Sequence, residues 1–322
     1  MISFIANSIR MSAAFLLGST GEIITEKSGH LNLGIPGIMC MGMIGGTVGA
    51  QIYVSSLSDV SQISPFPAFV MPLLFCIIFA GLMGVIYSFM TVTLRSNQNI
   101  TGLALTTFGM GVATFLSNRV KIDGFQEIGY YYRTLFTVPE DPNWFSTLFL
   151  SYGTMVYLAI IIAIGSALIL RKTRTGLQLR AVGENPATAD AAGVNITRYR
   201  YLATIIGAAI AGMGGLFYCF DMSGGSLPQI DSVSALGWLS IAIVIFSIWK
   251  PDFCIVSSIV FGILYRLPHS PLLVSASNPA KALIGALPYA MTVVVLIVTS
   301  IVGSKKTQPP ASLGLNYFRE ER

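Results

Sequence analysis

Runs of about 20 apolar residues recur along the whole chain, and they constrain its fold more than any other feature. A helix that rises 1.5 Å per residue needs about 20 such residues to cross the hydrocarbon core of a bilayer. The runs cover residues 2–25, 31–54, 67–94, 100–118, 147–170, 201–220, 233–249, 253–267 and 282–302. The sequence therefore predicts an all-α fold, a polytopic transmembrane helical bundle of about nine spans, with eight or ten as alternatives. The run 253–267 is short, so a tilted or partly re-entrant segment is expected there.

Charged residues are scarce in this chain. They make up 10% of the 322 residues, whereas 53% are hydrophobic, and a soluble domain carries about 25% charged residues. A soluble fold of this length could not bury so much apolar surface. The net charge of +5 does not indicate nucleic-acid binding, because the basic residues cluster between apolar runs and form no stripe. The cysteines and histidines lack metal-ligand spacing, so no metal site is expected.

Lysine and arginine are distributed unevenly between the loops, and this asymmetry sets the predicted orientation. The loop 171–200 is strongly basic, whereas the loop 119–146 carries more acidic than basic residues. We therefore place 171–200 in the cytoplasm and 119–146 outside. An even number of runs follows the basic loop, which returns the tail, residues 304–322, to the cytoplasm. Counting back places the N-terminus outside, while Arg10 argues for the inside.

A short helix is predicted inside the basic loop, over residues 186–192. Asn185 precedes Pro186, and an asparagine cap followed by proline at the first position is typical of a helix start. The alanine-rich stretch ends at Gly193, which suits a helix C-terminus. Such a helix is a poor membrane element, but it could seat in a groove of another protein. The alternative is an ordinary solvated connector, although loops of this length without a function are uncommon.

The stretch Arg180-Ala-Val-Gly-Glu-Asn-Pro, followed by Ala-Ala-Gly-Val and an Ala/Gly-rich run, resembles the ATPase-coupling loop of ABC permeases. The most similar group is the ribose/branched-chain amino acid type, in particular its nucleoside and simple-sugar permeases. Segments 21–39, 99–106 and 245–262 resemble the same group, and the similarity covers most of residues 10–300. Such relatives often carry an acidic residue at the position of Pro36 and Gly-Gly in place of Ser247-Ile248. These departures from the family pattern affect the prediction of the substrate more than the prediction of the transporter class.

The resemblance implies a permease subunit that is not an enzyme, with a transmembrane permease domain at 1–303 and internally repeated halves. It implies as partners a cytoplasmic ABC ATPase, a second permease (identical or not) and an external substrate-binding lipoprotein or periplasmic protein. ATP and Mg would be bound by the ATPase and no cofactor by this chain, because Gly303-Ser-Lys-Lys-Thr lacks the second glycine of a P-loop. The implied location is the bacterial cytoplasmic (inner) membrane. The implied substrate is a nucleoside or simple sugar, with branched-chain amino acids next.

The coupling loop contains the residues expected to contact the ATPase or to shape the short helix. Glycines on either side of the helix are expected to permit turns, and its small alanines, including Ala187, Ala189 and Ala192, to allow close seating. A basic and an acidic residue are expected to supply polar contacts at its rim. The expected coupling residues are Arg180, Gly183, Glu184, Asn185, Pro186, Ala191 and Gly193.

Two other classes of membrane protein share single features with this sequence. Asn185-Pro186-Ala187 and Asn278-Pro279-Ala280 repeat the tripeptide of aquaporin-like channels, in which two half-helices meet inside the membrane. The first copy lies in a basic loop, and neither is followed by arginine. A secondary transporter would need intramembrane acids, and Glu22 is the one strong candidate. Both classes are less favoured than the ABC permease.

Interrupted apolar segments suggest where a substrate passes, since irregular backbone at membrane depth is tolerated only inside protein or beside a cavity. Two such places are 32–37 and 224–228, and polar residues near the start of the run 100–118 add to the first. The alternative role for these residues is close helix packing. The candidate pathway residues are Asn32, Gly34, Gly37, Asn99, Thr101, Thr106 and Thr107.

Overall fold

The computed structural model describes residues 2–121, 123–134, 143–273, 277–302 and 308–318, and every regular element within them is helical. The predicted all-α fold is confirmed. The helices are α1 (Ile2–Glu26), α2 (Ile35–Ser55), α3 (Pro65–Ser88), α4 (Gln98–Ser117), α5 (Phe125–Arg133), α6 (Trp144–Phe149), α7 (Thr154–Lys172), α8 (Arg174–Glu184), α9 (Pro186–Ala191), α10 (Ile196–Phe217), α11 (Ile230–Phe246), α12 (Pro251–Arg266), α13 (Asn278–Gly285) and α14 (Leu287–Val302).

Eight helical segments of the described chain are long and apolar enough to cross a membrane. They comprise α1, α2, α3, α4, α7, α10, α12 and the α13–α14 pair, and α11 is a shorter apolar helix of 17 residues. This set confirms the predicted number of about nine spans. α12 is one continuous helix of 16 residues, and the tilted or partly re-entrant arrangement of 253–267 stays a prediction. α3 and α10 each continue into a π-helical turn, Phe89–Thr93 and Tyr218–Met222. The internal repeat of the two halves stays a prediction.

Two predicted spans have different boundaries in the structure. The run 147–170 is not one helix, because α6 ends at Phe149 and α7 begins at Thr154. Between them Gly153 passes so close to the backbone of α5 that a Cβ there would lie within 3.0 Å of a carbonyl oxygen. The last run is divided at Ala286. Pro288 lies two residues later, and proline cannot donate the amide that would continue α13.

Small residues let α1, α2, α3 and α10 pack closely at the centre of the bundle. A Cβ added to Gly21 in α1 would come closer than 3.0 Å to the carbonyl oxygen of Gly207 in α10. One added to Gly42 in α2 would approach the backbone of Gly212 in α10 as closely. Lipid gives no hydrophobic gain for helix association, so close backbone contact at small residues supplies the packing energy. The other spans pack against this central group.

The bundle has two ends, which we call the α9 end and the α5 end after the short helices that lie there. At the α9 end, the amide of Ser312 in the tail donates to the Gly183 carbonyl at 3.0 Å. The tail and the loop 171–200 therefore share one end, as the span count predicted. The start of α1 lies at the α5 end, as counting back predicted. Arg10 also lies at this end, where its charge is paired with Asp221.

An ion pair and α5 close the α5 end. The side chain of Asp221 is completely buried, and its Oδ1 pairs with Arg10 Nε. Its backbone carbonyl accepts hydrogen bonds from Arg10 Nη2 and from Arg133 Nε, each at 3.0 Å. Because Arg133 ends α5, these bonds hold α5 against the end of α10. Outside the described residues lie Glu140, Asp141, Lys305, Lys306, Arg319 and Arg322, which entered the predicted charge balance.

Candidate coupling helix and substrate pathway

The short helix predicted in the basic loop is present as α9, and its cap has the predicted geometry. Asn185 is extended (φ −149°, ψ 93°), and its Oδ1 accepts the Thr188 amide at 3.0 Å. Pro186 occupies the first position, where no amide hydrogen is needed. After Ala191 the chain turns at Gly193, whose φ of +82° favours glycine. The helix is thus specified by its own local sequence.

One face of α9 is exposed, and the opposite face holds it to the bundle. Ala187 and Ala191 are exposed. Ala189 is instead buried, and it packs against Val182 and Ile196. The expectation that each alanine of α9 meets an external protein is therefore wrong for Ala189, which belongs to the chain's own apolar cluster. The exposed face carries only small side chains, those of Ala187, Thr188 and Ala191, so another protein could approach its backbone closely.

Gly183 lies inside α8 and not in a turn before α9, so the predicted reason for this glycine is wrong. A Cβ on Gly183 would lie within 3.0 Å of the Lys27 carbonyl oxygen and 3.1 Å from the Gly29 nitrogen. Glycine is required because α8 packs against the backbone of the turn that follows α1. The amide and hydroxyl of Ser312 reinforce this contact by donating to the Gly183 carbonyl at 3.0 and 2.6 Å.

The two charged residues that were predicted to contact an ATPase lie on α8, beside Lys27. Glu184 is exposed, and Arg180 is half-buried. Burial lowers the pKa of Lys27 below its ordinary value, the Glu184 carboxylate offsets part of this shift, and the positive charge of Arg180 adds to it. Glu184 also accepts the amide of Ala311 at 3.4 Å. The exposed carboxylate therefore balances positive charge at the α9 end and remains accessible to another protein.

The chain between α1 and α2 enters the bundle without helical structure, as the interrupted apolar pattern predicted. His30 and Asn32 are completely buried there. The Asn32 amide donates to Glu22 Oε1 at 3.0 Å, and Asn32 Oδ1 accepts the Gly34 amide at 2.9 Å. His30 Nδ1 lies 3.0 Å from Thr204 Oγ1, and burial lowers the pKa of His30 to about 3, so the ring is neutral near pH 7. Side chains of α1 and α10 thus hold this break in place.

α1 carries two buried carboxylates on successive turns, Glu22 and Glu26, with exposed fractions of 0% and 3%. Glu22 was expected to be an intramembrane acid, and the structure shows that Glu26, at the end of α1, is buried as well. Trp249 Nε1 donates to Glu26 Oε2, and the Asn32 amide donates to Glu22. Buried acids are tolerated when they are hydrogen-bonded. Glu22 therefore joins α1 to the non-helical break before α2, and Glu26 joins the end of α1 to the turn that follows α11.

Part of the predicted pathway set comes together where α2 begins. A Cβ on Gly37 would lie 2.7 Å from the Leu105 carbonyl oxygen and from the Thr106 Cα of α4. Thr106 Oγ1 donates to the Leu33 carbonyl at 2.9 Å. Gly34, Gly37 and Thr106 are all buried. In this conformation they pack the start of α2 against α4 and do not face an open surface.

The remaining predicted pathway residues lie on the outward side of α4. Asn99 and Thr107 are exposed, and Thr101 is half-buried. Gly111 and Thr114 follow Thr107 at helical spacing and are exposed as well. The hydroxyls of Thr107 and Thr114 donate to carbonyls one turn earlier, at 3.1 and 2.8 Å, so their lone pairs stay available. Sequence reasoning missed this stripe beyond Thr107, although its spacing of four and then three residues was the available signal.

Two cavities of about 440 and 650 Å³ lie at the α9 end. The smaller lies between the end of α3, α9, α10 and the tail, and the larger lies between α1, α7, α8 and α10. None of the predicted pathway residues lines either cavity. The outward stripe of α4 is therefore the better candidate for a surface that meets a substrate.

Residues of the tail contribute to the α9 end, and sequence reasoning missed them. Tyr317 donates its hydroxyl to Asp190 Oδ2 of α9 at 2.9 Å. Asn316 Nδ2 donates to the Arg95 carbonyl at 2.7 Å. The tail has no periodic pattern, and the only available signal was an asparagine followed by two aromatic residues after the last apolar run.

Comparison with known proteins finds a matching family model and several similar proteins, among them ABC transporter permeases. A family model described as "Branched-chain amino acid transport system / permease component" matches residues 4–298. The chain is 28% identical to the nucleoside ABC transporter permease protein NupC of Lactococcus lactis, over 98% of this chain and 97% of that protein. It is 30% identical to the putative glucose ABC transporter permease protein TsgC13 of Haloferax volcanii, over 97% and 96% of the two chains. It is 26% identical to the guanosine ABC transporter permease protein NupQ of Bacillus subtilis, over 97% and 95%. No solved structure matches the chain.

Proposed function

Since the chain belongs to the family of branched-chain amino acid transport system permease components, we propose that it forms the membrane pathway of an ATP-driven importer for a nucleoside or a simple sugar. Family membership makes the chain a transport component and not an enzyme. The helical spans make it a multi-pass membrane protein. The substrate, the individual partners and the location in a bacterial inner membrane are the parts that we propose.

The observation that carries the proposal is α9. It is a capped, six-residue helix at one end of the bundle, with Ala187 and Ala191 exposed. The chain has no P-loop of its own, so ATP hydrolysis requires a partner. We place a cytoplasmic ABC ATPase on the exposed face of α9, with Glu184 at the rim of the contact. ATP-driven closure of two ATPases would then move α9 and shift the bundle between inward-open and outward-open states.

The proposed substrate class rests on the relatives and on the chemistry of α4. The outward stripe of α4 presents two hydroxyl groups, those of Thr107 and Thr114, with the small residue Gly111 between them. None of these three positions is charged. Nucleosides and sugars are neutral at pH 7 and rich in hydrogen-bonding groups, which suits such a surface. A free amino acid carries an ammonium and a carboxylate, and both would need charged or dipolar partners. Branched-chain amino acids are therefore less favoured.

A second permease subunit is proposed to face the outward side of α4. This stripe is open to the surface in a single chain, whereas a water-filled pathway must be screened from lipid. A second subunit, identical or related, would close it. The external binding protein would then dock at the α5 end, opposite the ATPases.

The two alternative classes fit the structure less well. The two Asn-Pro-Ala tripeptides begin α9 and α13, which lie at opposite ends of the bundle, so they do not meet as half-helices of a channel do. The buried acids Glu22 and Glu26 accept hydrogen bonds from the Asn32 amide and the Trp249 indole. They line neither of the two cavities described above, as a proton relay of a secondary transporter would be expected to do.

Uptake into proteoliposomes tests the proposal. The permease is reconstituted with its ATPase and binding protein, and uptake of labelled guanosine, glucose and leucine is compared with ATP inside or absent. We expect ATP-dependent uptake of the nucleoside or the sugar, and no uptake of leucine. Thr107→Val should raise the half-saturating concentration, because it removes a hydroxyl from the proposed pathway surface.

Thr292→Val is the matched control, because Thr292 also donates to a carbonyl four residues earlier but lies in α14. Leucine uptake, or uptake that needs an ion gradient and no ATP, would refute the proposal. Equal effects of the two threonine variants on uptake would refute the proposal that the outward stripe of α4 lines the pathway.

A further inference from the structure

The C-terminal segment 308–318, which we call the C-terminal strap, crosses the α9 end of the bundle. Ser312 is buried at 5% exposure, and its amide and hydroxyl both donate to the Gly183 carbonyl of α8. The Gly314 amide donates to the Gly29 carbonyl at 3.2 Å. The strap therefore joins the last turn of α8 to the turn that opens the break before α2.

A second set of contacts joins the strap to the connection between α3 and α4. Asn316 Nδ2 donates to the Arg95 carbonyl at 2.7 Å, and Gln98 Nε2 donates to Asn316 Oδ1 at 3.2 Å. Gln98 Oε1 in turn accepts the Leu31 amide at 2.8 Å. Gln98 is buried, so this short chain of hydrogen bonds again ends on the break between α1 and α2.

The far part of the strap holds α9 from its inner side. Tyr317 donates to Asp190 Oδ2 at 2.9 Å and packs on the small apolar cluster that contains Ala189. Arg200 of α10, which is 2% exposed, donates through Nη2 to the Leu315 carbonyl at 3.2 Å. These contacts leave the outer face of α9, with Ala191, uncovered.

We propose that the C-terminal strap is a positioning element that transmits movement of α9 to the start of α2, with Tyr317 as its contact on α9. This inference rests on the proposed function, because it takes an ATPase to move α9. α9 has only six residues, and its own apolar contact is small. The strap gives it a second connection, which runs through Gly314 and Gly29 to the break that packs against α4. Contiguous hydrogen bonds of this kind carry energetic coupling when the element at their end has two arrangements.

Coupled transport tests the proposal in the assembled complex with its ATPase and binding protein. Tyr317→Phe removes only the hydroxyl bonded to Asp190, and Leu315→Ala is the matched control, because that side chain is 61% exposed on the same segment. We expect Tyr317→Phe to lower the substrate transported per ATP hydrolysed by about threefold to tenfold, the range of an ordinary intramolecular hydrogen bond. Leu315→Ala should leave the ratio unchanged. Adding Asp190→Ala to Tyr317→Phe should cause less further loss than Asp190→Ala alone, because both remove one shared contact.

A second measurement does not depend on transport. A spin label at Ala191→Cys should become more mobile in the Tyr317→Phe background and not in the Leu315→Ala background. The proposal is overturned if label mobility is unchanged, or if uptake and ATP hydrolysis fall in the same proportion. If the unmodified complex shows no substrate-stimulated ATP hydrolysis, the proposed function fails, while the spin label still decides whether the strap positions α9.

Discussion

Replacing Gly183 with alanine would test how α8 is packed against the turn after α1. The new Cβ would lie within 3.0 Å of the Lys27 carbonyl oxygen and 3.1 Å from the Gly29 nitrogen. Carbon–oxygen contacts in proteins lie at about 3.3 Å or more. The two backbones would therefore have to separate by at least about 0.3 Å. Both neighbours are main-chain atoms, so no side chain can rotate out of the way.

The size of the effect follows from two opposing contributions. Overpacking of a well-packed contact costs about 1–3 kcal/mol, and backbone neighbours place Gly183→Ala in the upper part of that range. Replacement of a helical glycine by alanine recovers about 1 kcal/mol. We expect Gly183→Ala to lower the free energy of unfolding by about 1–2 kcal/mol.

The matched control is Gly165→Ala in α7, where an added Cβ meets nothing within 4 Å. It gains the helical preference without the overlap, so it should be neutral or stabilising. The assay is thermal unfolding of the purified chain in nanodiscs, followed by tryptophan fluorescence. Gly183→Ala should unfold at a lower temperature than wild type, and Gly165→Ala should not. Equal stability of the two variants would refute the packing argument.

Three further predictions concern the ends of the bundle and its charged groups. Asp221→Ala should destabilise the chain by about 3 kcal/mol in chemical unfolding, because Arg10 loses its partner at a buried site, and the double variant Arg10→Met/Asp221→Leu should recover most of that loss. The folded-state pKa of His30, about 3, lies below its ordinary 6.5, so its contribution to stability is full above pH 6.5 and falls as the pH drops. The variant His30→Asn should therefore lose about 2 kcal/mol less stability than wild type on going to pH 5. An unchanged pH profile of stability would contradict this. Single cysteines placed at the exposed Gln178 and Gln126 should react with a membrane-impermeant thiol reagent from opposite sides of the membrane. The background should be low, because the four native cysteines are buried. Labelling of both positions from outside would refute the predicted topology.

The parts of this structure that sequence could predict are those encoded by neighbouring residues. α9 is one example, since Asn185, Pro186 and Gly193 lie within a few positions of each other and each has a strong local preference. The spans are another, because a bilayer imposes a minimum apolar length. The break before α2 was also predicted, although its exact extent was not.

Contacts between residues far apart in the chain could not be predicted in the same way. Gly183 was assigned to a turn because its true neighbours, Lys27 and Gly29, lie more than a hundred residues away. Glu26 lies just past the predicted run 2–25, and only the tertiary position of Trp249 shows that it is buried. The C-terminal strap has no repeating pattern, and its short Asn-Tyr-Phe sequence does not by itself indicate that it belongs to the α9 end.

The helix boundaries show a third kind of difference. The run 147–170 is apolar throughout, and hydropathy alone predicts one span. The structure interrupts it at Gly153 because the chain there passes against the backbone of α5. A tertiary contact of this kind overrides the local apolar pattern.

The most direct test of the account is the effect of Ala191→Trp on the ATPase. Ala191 is exposed on the outer face of α9, and a tryptophan there would block close approach of another protein without altering any span. Gln126→Trp, at the α5 end, adds the same bulk away from the proposed contact. The measurement is substrate-stimulated ATP hydrolysis by the reconstituted complex, together with the amount of ATPase that copurifies with the permease. The account predicts that Ala191→Trp loses both while Gln126→Trp retains its bound ATPase. Wild-type stimulation and normal copurification in Ala191→Trp would contradict the claim that α9 is the ATPase-coupling helix.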